Sequence, residues 1–410
     1  MARAFGYAAI DVGTTKICTL VGQVGSGGEI EVTGVGIAPS RGLLKGMVVN
    51  MDEAAEAIRI SVERAERSSA RRITSAYVGI TGSHLACQNS RAMVTISRTD
   101  HLVSLEDVTR VLHEARSVSM PSNREILHVI PRSYILDGQE GVQNPVGLHG
   151  SRLDVEAHVV TGAVTSIQNL TKCVQQAGVG VENLVLEPLA SSEAVLSEDE
   201  RETGSVLVDI GGGTTDLAVF VQGSIAHTAV LPVGGHQFTQ DLVIGIRAPY
   251  AAAEEAKLAY GSAEPGAIPP DEVVEIAAFG EGSKRPISRR LMSEILRARL
   301  DEVLDLIRHE IRVSGYHDFL PAGVVFTGGG AGLRGLTTVA EQALFMPVRI
   351  GVPEGVHGLV DTISSPAYAA SVGLLLWAVR YGDEDDRDGT PSTALFDFFR
   401  NLLSWFKVKV

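Results

Sequence analysis

A short pattern that occurs twice constrains this chain more than any other feature. In the second copy, Val208-Asp209-Ile210-Gly211-Gly212-Gly213-Thr214-Thr215-Asp216 connects apolar runs at 205–208 and 217–221. In the first, Asp11-Val12-Gly13-Thr14-Thr15-Lys16 connects similar runs at 8–10 and 17–21. Two β-rich runs around a glycine turn read as a hairpin. Glycine, lacking Cβ, lets backbone N–H groups approach a phosphate closely. The threonines add hydroxyl donors, and an Asp at the end of the entering strand can hold a divalent cation, directly or through water. One such turn is equally compatible with simple turn geometry. Repetition of the whole unit is a signal at the level of the fold. Two lobes, each offering a hairpin to a shared cleft, would grip one Mg-bound nucleotide from both sides. A P-loop is excluded, since no GxxxxGK[ST] run occurs and each turn leads into a strand.

Length and charge bound the alternatives. The 410 residues suffice for two or more domains with sizeable cores. A net charge of −14 argues against nucleic acid as a partner, because no basic field is available to displace counterions. Cys18, Cys87 and Cys173 lie far apart without a CxxC, which fits a reducing compartment and neither a disulfide frame nor a zinc site. The histidines are scattered, so no metal cluster is expected. The first strand is expected by about Tyr7, leaving no room for a signal peptide. No apolar run reaches the roughly 18 residues of a membrane-spanning helix.

Taken in order, 29–38 alternates like a strand, 51–67 reads as an amphipathic helix, and 73–80 as a further strand. From 83 to 161 the character changes: strands are expected at 93–97 and 128–136 and a helix at 105–117, as in a small inserted domain used for contact. A strand at 179–185 ends at Glu187-Pro188. The Glu187 carboxylate either orients a water toward a γ-phosphate or merely opens the next helix. After the second hairpin, 230–235 reads as a strand and the turn Gly234-Gly235, which joins the candidate cofactor-binding set. Helices are expected at 238–246 and 251–260. In the latter, Glu254 and Lys257 share a face, and either bracket a ribose or adenine edge or form a surface pair. A short strand at 273–277 precedes a long helix at 288–313 carrying Arg289, Arg290, Arg297, Arg299 and Arg308. The run Gly330 to Gly335 matches GxGxxG, but arrives too late in the chain for a dinucleotide fingerprint. It reads instead as a glycine-lined loop against an adenosine, followed by a strand at 348–350 and a helix at 368–379.

The end of the chain is distinctive. Residues 382–393 are acidic with Gly, Pro and Ser, a flexible tether reaching on the order of 20 Å. Behind it, Leu395, Phe396, Phe399, Leu402, Leu403, Trp405 and Phe406 fall mostly on one helical face, with Arg400 and Lys407 towards the other. At about 25 Å such a helix is too short to span a bilayer and suited to lying flat on anionic lipid. The alternative, a helix docked on the protein's own core, would need no tether.

Two DxGTT-type hairpins with a later Thr327-Gly328-Gly329-Gly330 loop resemble the actin–Hsp70–sugar kinase superfamily. The segments Gly42 to Asn50 with Ala54 to Ile58, Val78 to Gly82, Val325 to Ala331 and Ser365 to Tyr368, together with the tail, are similar more specifically to the FtsA family of bacterial division proteins. That resemblance covers essentially the whole chain. It implies an α/β, actin-like two-lobed ATPase fold with duplicated phosphate-binding hairpins and a small inserted domain. Implied boundaries are subdomain 1A at 1–82 and 162–202, inserted subdomain 1C at 83–161, subdomain 2A at 203–246 and 307–381, and subdomain 2B at 247–306. The linker is 382–393 and the membrane-targeting helix 394–410.

The resemblance also implies ATP and Mg as cofactors. Asp11, Gly13, Thr14, Thr15 and Lys16, with Asp209 and Gly211, Gly212, Gly213, Thr214 and Thr215, would hold phosphates, and Asp11 and Asp209 the Mg. Glu254 and Lys257 would flank the adenosine, with Gly328, Gly329 and Gly330 behind it. Implied partners are the FtsZ C-terminal peptide, with Arg289, Arg299 and Glu302 as candidate contacts, further copies of the chain in a filament, other divisome proteins, and membrane lipid. The implied location is the cytoplasmic face of the cell membrane at the division site. Rival readings are a pilus-type scaffold, a small-molecule kinase and an Hsp70-like chaperone. A kinase or a pilus scaffold has no use for a lipid tail, and a chaperone needs a peptide-binding domain. Slow or undetectable ATP turnover is expected.

Overall fold

The computed structural model describes residues 6–25, 27–280 and 282–382. The expected tether and amphipathic segment, including Leu395 to Lys407, lie outside the described residues.

Two sheets share one plan. In the first, strands Ile30–Pro39, Lys16–Val24 and Gly6–Val12 form an antiparallel meander, continued by parallel strands Ser75–Ile80 and Gly180–Leu186. In the second, Ser224–Leu231, Thr215–Val221 and Ser205–Ile210 form the meander, continued in parallel by Val324–Thr327 and Val348–Ile350. A sixth strand, Val356–Gly358, crosses over to the far edge of the first sheet. The inner strands are near-continuous apolar runs because both faces are covered, as in Ser205–Ile210, where every residue is buried.

Between the sheets lie two helices, Glu187–Val195 and Ala369–Tyr381, packed on one another. Their approach is so close that a Cβ on Gly373 would stand 1.8 Å from the Ala190 carbonyl oxygen. Helix Met51–Ser69 covers the outer face of the first sheet, burying Ala54, Ile58, Val62 and Ala65 and capped by Asn50. The long helix Arg289–Val313 anchors the second lobe's core through Leu296, Leu300, Leu304 and Ile307.

The region 83–161 forms a separate four-stranded sheet, ordered Ala86–Thr95, Arg152–Ala163, Arg124–Leu136 and Gln139–Val142, with helix Leu105–Ala115 against it. Its central strand, Arg152–Ala163, is not evident from the sequence. The strand carries Asp154 and His158 inward, 3% and 1% exposed, so its apolar alternation is broken by buried polar residues. Ser224–Leu231 likewise begins six residues before the sequence suggests, its pattern interrupted by His227 and Thr228.

Candidate functional site

The two hairpin tips meet at the floor of a cleft between the lobes, in a cavity of about 490 Å³. That is within the range of small-molecule and cofactor sites. Asp11, Gly13, Thr14, Thr15 and Lys16 line it from the first lobe. Asp209, Gly211, Gly212, Thr214, Gly235, Glu254, Lys257, Gly328, Gly329 and Gly330 line it from the second, and Glu187 from the helix between.

Three residues of the expected set are used otherwise. Thr215 is fully buried and its hydroxyl donates to the Val233 carbonyl at 2.8 Å. Gly213 packs beneath Thr14 and Lys45. Gly234 seats the helix Gly235–Ile246 on the second hairpin: a Cβ there would meet the Gly211 carbonyl oxygen at 2.7 Å. The first N–H groups of that helix are spent on the same hairpin, Gly235 donating to Gly211 and His236 to Gly212, both at 2.8 Å.

The hairpin carboxylates are held in matching ways. Ser371, from helix Ala369–Tyr381, donates to Asp11 Oδ2 at 2.5 Å, and Ser191, from helix Glu187–Val195, donates to Asp209 Oδ2 at 2.7 Å. Each serine comes from one of the two packed helices between the sheets. Asp216, directly opposite Asp209 in the strand pair, accepts from Thr81 of the first lobe and from Thr214 at 3.0 Å. Lys16 reaches the Ala367 carbonyl and lies 4.6 Å from the centre of the Tyr368 ring.

Four carboxylates thus converge with little compensation. Burial pushes Asp209 up to about 6, with Asp11 adding to the shift and the Ser191 hydroxyl and Lys16 opposing it. Burial likewise pushes Asp216 up to about 7, opposed by the Thr81 hydrogen bond and reinforced by Asp209. Asp11 is raised by burial, with Lys16 pulling back. Glu187 is raised well above the usual range by burial and by Asp11, Asp216 and Asp209. Its Oε1 is buried with no hydrogen-bond partner.

Among the described residues, no three His, Cys, Asp or Glu side chains are arranged to hold a metal by themselves. An all-oxygen set with one orphaned carboxylate oxygen nevertheless suits Mg, a hard cation that keeps its waters and completes its shell with phosphate oxygens.

Further out, Lys257 Nζ pairs with Glu254 Oε2 at 2.8 Å and donates to the Gly235 carbonyl at 3.0 Å and Thr239 Oγ1 at 2.9 Å. The Glu254–Lys257 pair is therefore both an ion pair along a helix and part of the cavity wall. Gly328 must be glycine: φ is +82°, and a Cβ would stand 2.2 Å from Asp209 Oδ1.

The lining includes residues the sequence did not single out. His236 lies 3.4 Å from Thr15 Oγ1 across the cleft and 3.2 Å from the Tyr250 hydroxyl. Its place directly after Gly234-Gly235 was the available signal. Asp216, buried behind the lining, is visible in the sequence only as the end of the second motif.

The candidate partner residues are engaged within the chain. Arg299 holds Asp241 through two bonds of 2.6 and 2.9 Å and Glu302 at 2.5 Å, and Arg289 holds Glu272 at 2.7 Å.

Comparison with known proteins gives the context. The model of "Cell division protein FtsA" matches residues 206–373, and that of the "SHS2 domain inserted in FTSA" matches 82–161. A cell division protein FtsA of Pseudomonas aeruginosa is 43% identical over 93% of this chain and 90% of its own length. That of Escherichia coli K12 is 36% identical over 97% and 96%. Among solved structures, a PilM-PilN type IV pilus biogenesis complex matches with TM-score 0.64 at 18% identity, covering 91% of this chain and 98% of the other. MreB5 of Spiroplasma citri bound to ADP matches with TM-score 0.53 at 15% identity over 91% and 95%. These structural likenesses extend to the fold, which is actin-like with an inserted SHS2 domain.

Proposed function

The chain belongs to the FtsA family of cell division proteins, and on that premise we propose that it is an ATP-binding scaffold that tethers the FtsZ ring to the membrane. The observation that carries the nucleotide part is the convergence of two phosphate-type hairpins on one cavity. The nucleotide recorded with the structurally similar MreB5 supports the same reading.

Asp11 and Asp209 would hold Mg, directly or through water, and Glu187 would accept from a coordinated water. Bound Mg supplies two positive charges that neutralise phosphate oxygens and the surrounding carboxylates. Thr14 and Thr15 offer hydroxyls to phosphate oxygens, Lys16 a fixed cation, and Gly211 and Gly212 close backbone approach, while the Thr214 hydroxyl, which donates to Asp216 at 3.0 Å, would have to turn from it to do the same. Glu254 and Lys257, with Gly328 to Gly330 opposite, flank the adenosine. Turnover depends on how Glu187 places a water and is slow or undetectable. Steady-state hydrolysis above roughly 1 s⁻¹, an ordinary enzyme rate, contradicts this.

The remaining assignments draw on the family and on sequence. Residues Leu395 to Lys407 lie flat on the membrane, the chain assembles on further copies of itself, and it meets the FtsZ C-terminal peptide and other divisome proteins at the division site. Arg289, Arg299 and Glu302 serve the FtsZ peptide. Arg299 must exchange Asp241 for a peptide carboxylate to do so. Vesicle co-sedimentation with Mg-ATP tests the tether: the full chain pellets with anionic vesicles and a chain ending at Ser392 does not. Equal behaviour of the two chains refutes it.

A further inference from the structure

The sheet of the first lobe has two ends. Asp11 faces the cavity at one. About 17 Å away along the strand Gly6–Val12 lies the other, where that strand begins. Helices Met51–Ser69 and Ala369–Tyr381, on opposite faces of the sheet, both finish there. Both ends touch the start of that strand: a Cβ on Gly6 would stand 3.0 Å from Arg71 Nη1, and one on Gly382 3.1 Å from Tyr7 Cε1. Gly382 is the last described residue, and it lies at the same end of the sheet as the end of helix Met51–Ser69, on the other face.

That place carries an excess of cations, none of them in a direct ion pair among the described residues. Arg64, Arg67, Arg71 and Arg72 are all exposed. Their bonds go to neutral acceptors, Arg71 Nη2 to Gln23 Oε1 at 2.9 Å, Arg67 Nε to the Glu63 carbonyl at 3.2 Å, and Arg64 to the Ile37 carbonyl. Glu63 and Glu66 line the same groove as Arg67, Arg71 and Arg72 and keep their charge, but the four cations outnumber them. Glu63 pairs with Arg59, and Glu66 Oε1 accepts from the Ile73 N–H at 2.7 Å. Along helix Arg289–Val313, by contrast, Arg289, Arg290, Arg297, Arg299 and Arg308 each meet a carboxylate. A helix C-terminus favours a cation in its last turn, which accounts for Arg67. Arg71 and Arg72 lie beyond the left-handed residue Ala70, φ +52°, and need another reason.

We propose that this arginine cluster is a second membrane contact, docking the body on the anionic phospholipid headgroups of a bilayer. The inference rests on the tether reading above. Twelve residues, 383–394, separate Gly382 from Leu395. A coil of that length spans on the order of 20 Å. With Leu395 to Phe406 in the headgroup layer, the face around Gly382 is held within two or three screening lengths, each about 8 Å, of the anionic surface. A body that carries most of the chain's net charge of −14 is repelled there unless the facing patch is cationic. Guanidinium groups also match phosphate geometry through paired bonds.

The test uses the full chain, the variant R67Q/R71Q/R72Q, and a control with equal charge loss on the other lobe, R290Q/R297Q/R308Q. Binding is titrated to vesicles of phosphatidylcholine alone and of phosphatidylcholine mixed with phosphatidylglycerol. Removing three basic contacts, each contributing up to about fivefold near an anionic surface, is expected to weaken binding to mixed vesicles by about tenfold or more. Binding to neutral vesicles is unchanged, and the control shifts by less than about twofold. Matching thermal unfolding midpoints show that the exposed substitutions leave the fold intact. If the cluster variant binds mixed vesicles like the parent, or only as weakly as the control, the proposal is overturned while the tether stands. If the full chain binds neither vesicle, both fall.

Discussion

The two hairpins share one plan but not one chemistry. The sequence invites alignment of Thr14-Thr15 with Thr214-Thr215. The strand register says otherwise: Val12 faces Ile17 and Ile210 faces Thr215, so each turn spans four residues, and Thr14-Thr15 correspond to Gly212-Gly213. The reason is steric. A Cβ on Gly212 would stand 2.0 Å from Thr15 Oγ1, and one on Gly213 2.9 Å from Thr14 Oγ1. One tip has become a pair of knobs and the other the hole that receives them. The charges have diverged as well. Asp11 faces Cys18 across its strand pair, whereas Asp209 faces Asp216, a like-charge pair that is destabilising without a cation or a proton between them.

The largest way to break this comparison is to remove one carboxylate at a time. Asp11→Asn and Asp209→Asn should each lower Mg-ATP affinity by about thirtyfold or more, ~2 kcal/mol, the scale of a lost charge-assisted contact. Titration calorimetry with and without Mg reads this, and a loss in only one variant would leave a one-sided site. Next, Gly212→Ala should destabilise the chain by about 1–3 kcal/mol through overpacking. Adding Thr15→Gly should recover a good part of it, as chemical denaturation of the single and double variants can show. Simple additivity would mean that knob and hole do not meet.

Smaller still are the serines. Ser191→Ala and Ser371→Ala should each cost about 1 kcal/mol and shift Mg-ATP affinity to similar extents, since they hold the two Asp residues alike.

The pH response is the subtlest. Asp209 and Asp216 have folded pKa values near 6 and 7, above their ordinary value of 3.8. A carboxyl raised on folding contributes stability that is full below the unfolded pKa and lost as pH rises through the folded one. The nucleotide-free chain should therefore lose stability between about pH 4 and 7 from these two groups. Mg-ATP should raise the melting temperature more at pH 7.5 than at pH 6.

The duplicated plan was legible because apolar strands around Asp-x-Gly turns survive in both halves. The inner helices were legible too, although not that Ser191 and Ser371 would reach across to opposite hairpins. Side-chain destinations of this kind depend on the packing of Gly373 against Ala190, which no local pattern encodes. Asp216 was hidden for a related reason: its partner Thr81 is distant in sequence and lies in the other lobe. In the inserted domain, strand Arg152–Ala163 escaped notice because Asp154 and His158 are buried with satisfied bonds, so polarity there does not mark a solvent face. The Asp241 partner of Arg299 was equally illegible, since it comes from another helix.

The most direct test of the central claim is equilibrium binding of ATP to the full chain with Mg and with excess EDTA. Two hairpins serving one cavity predict one nucleotide per chain, with affinity falling at least about tenfold on chelation, as for a cation held between carboxylates and phosphates. Binding indifferent to Mg, two nucleotides per chain, or none would contradict it.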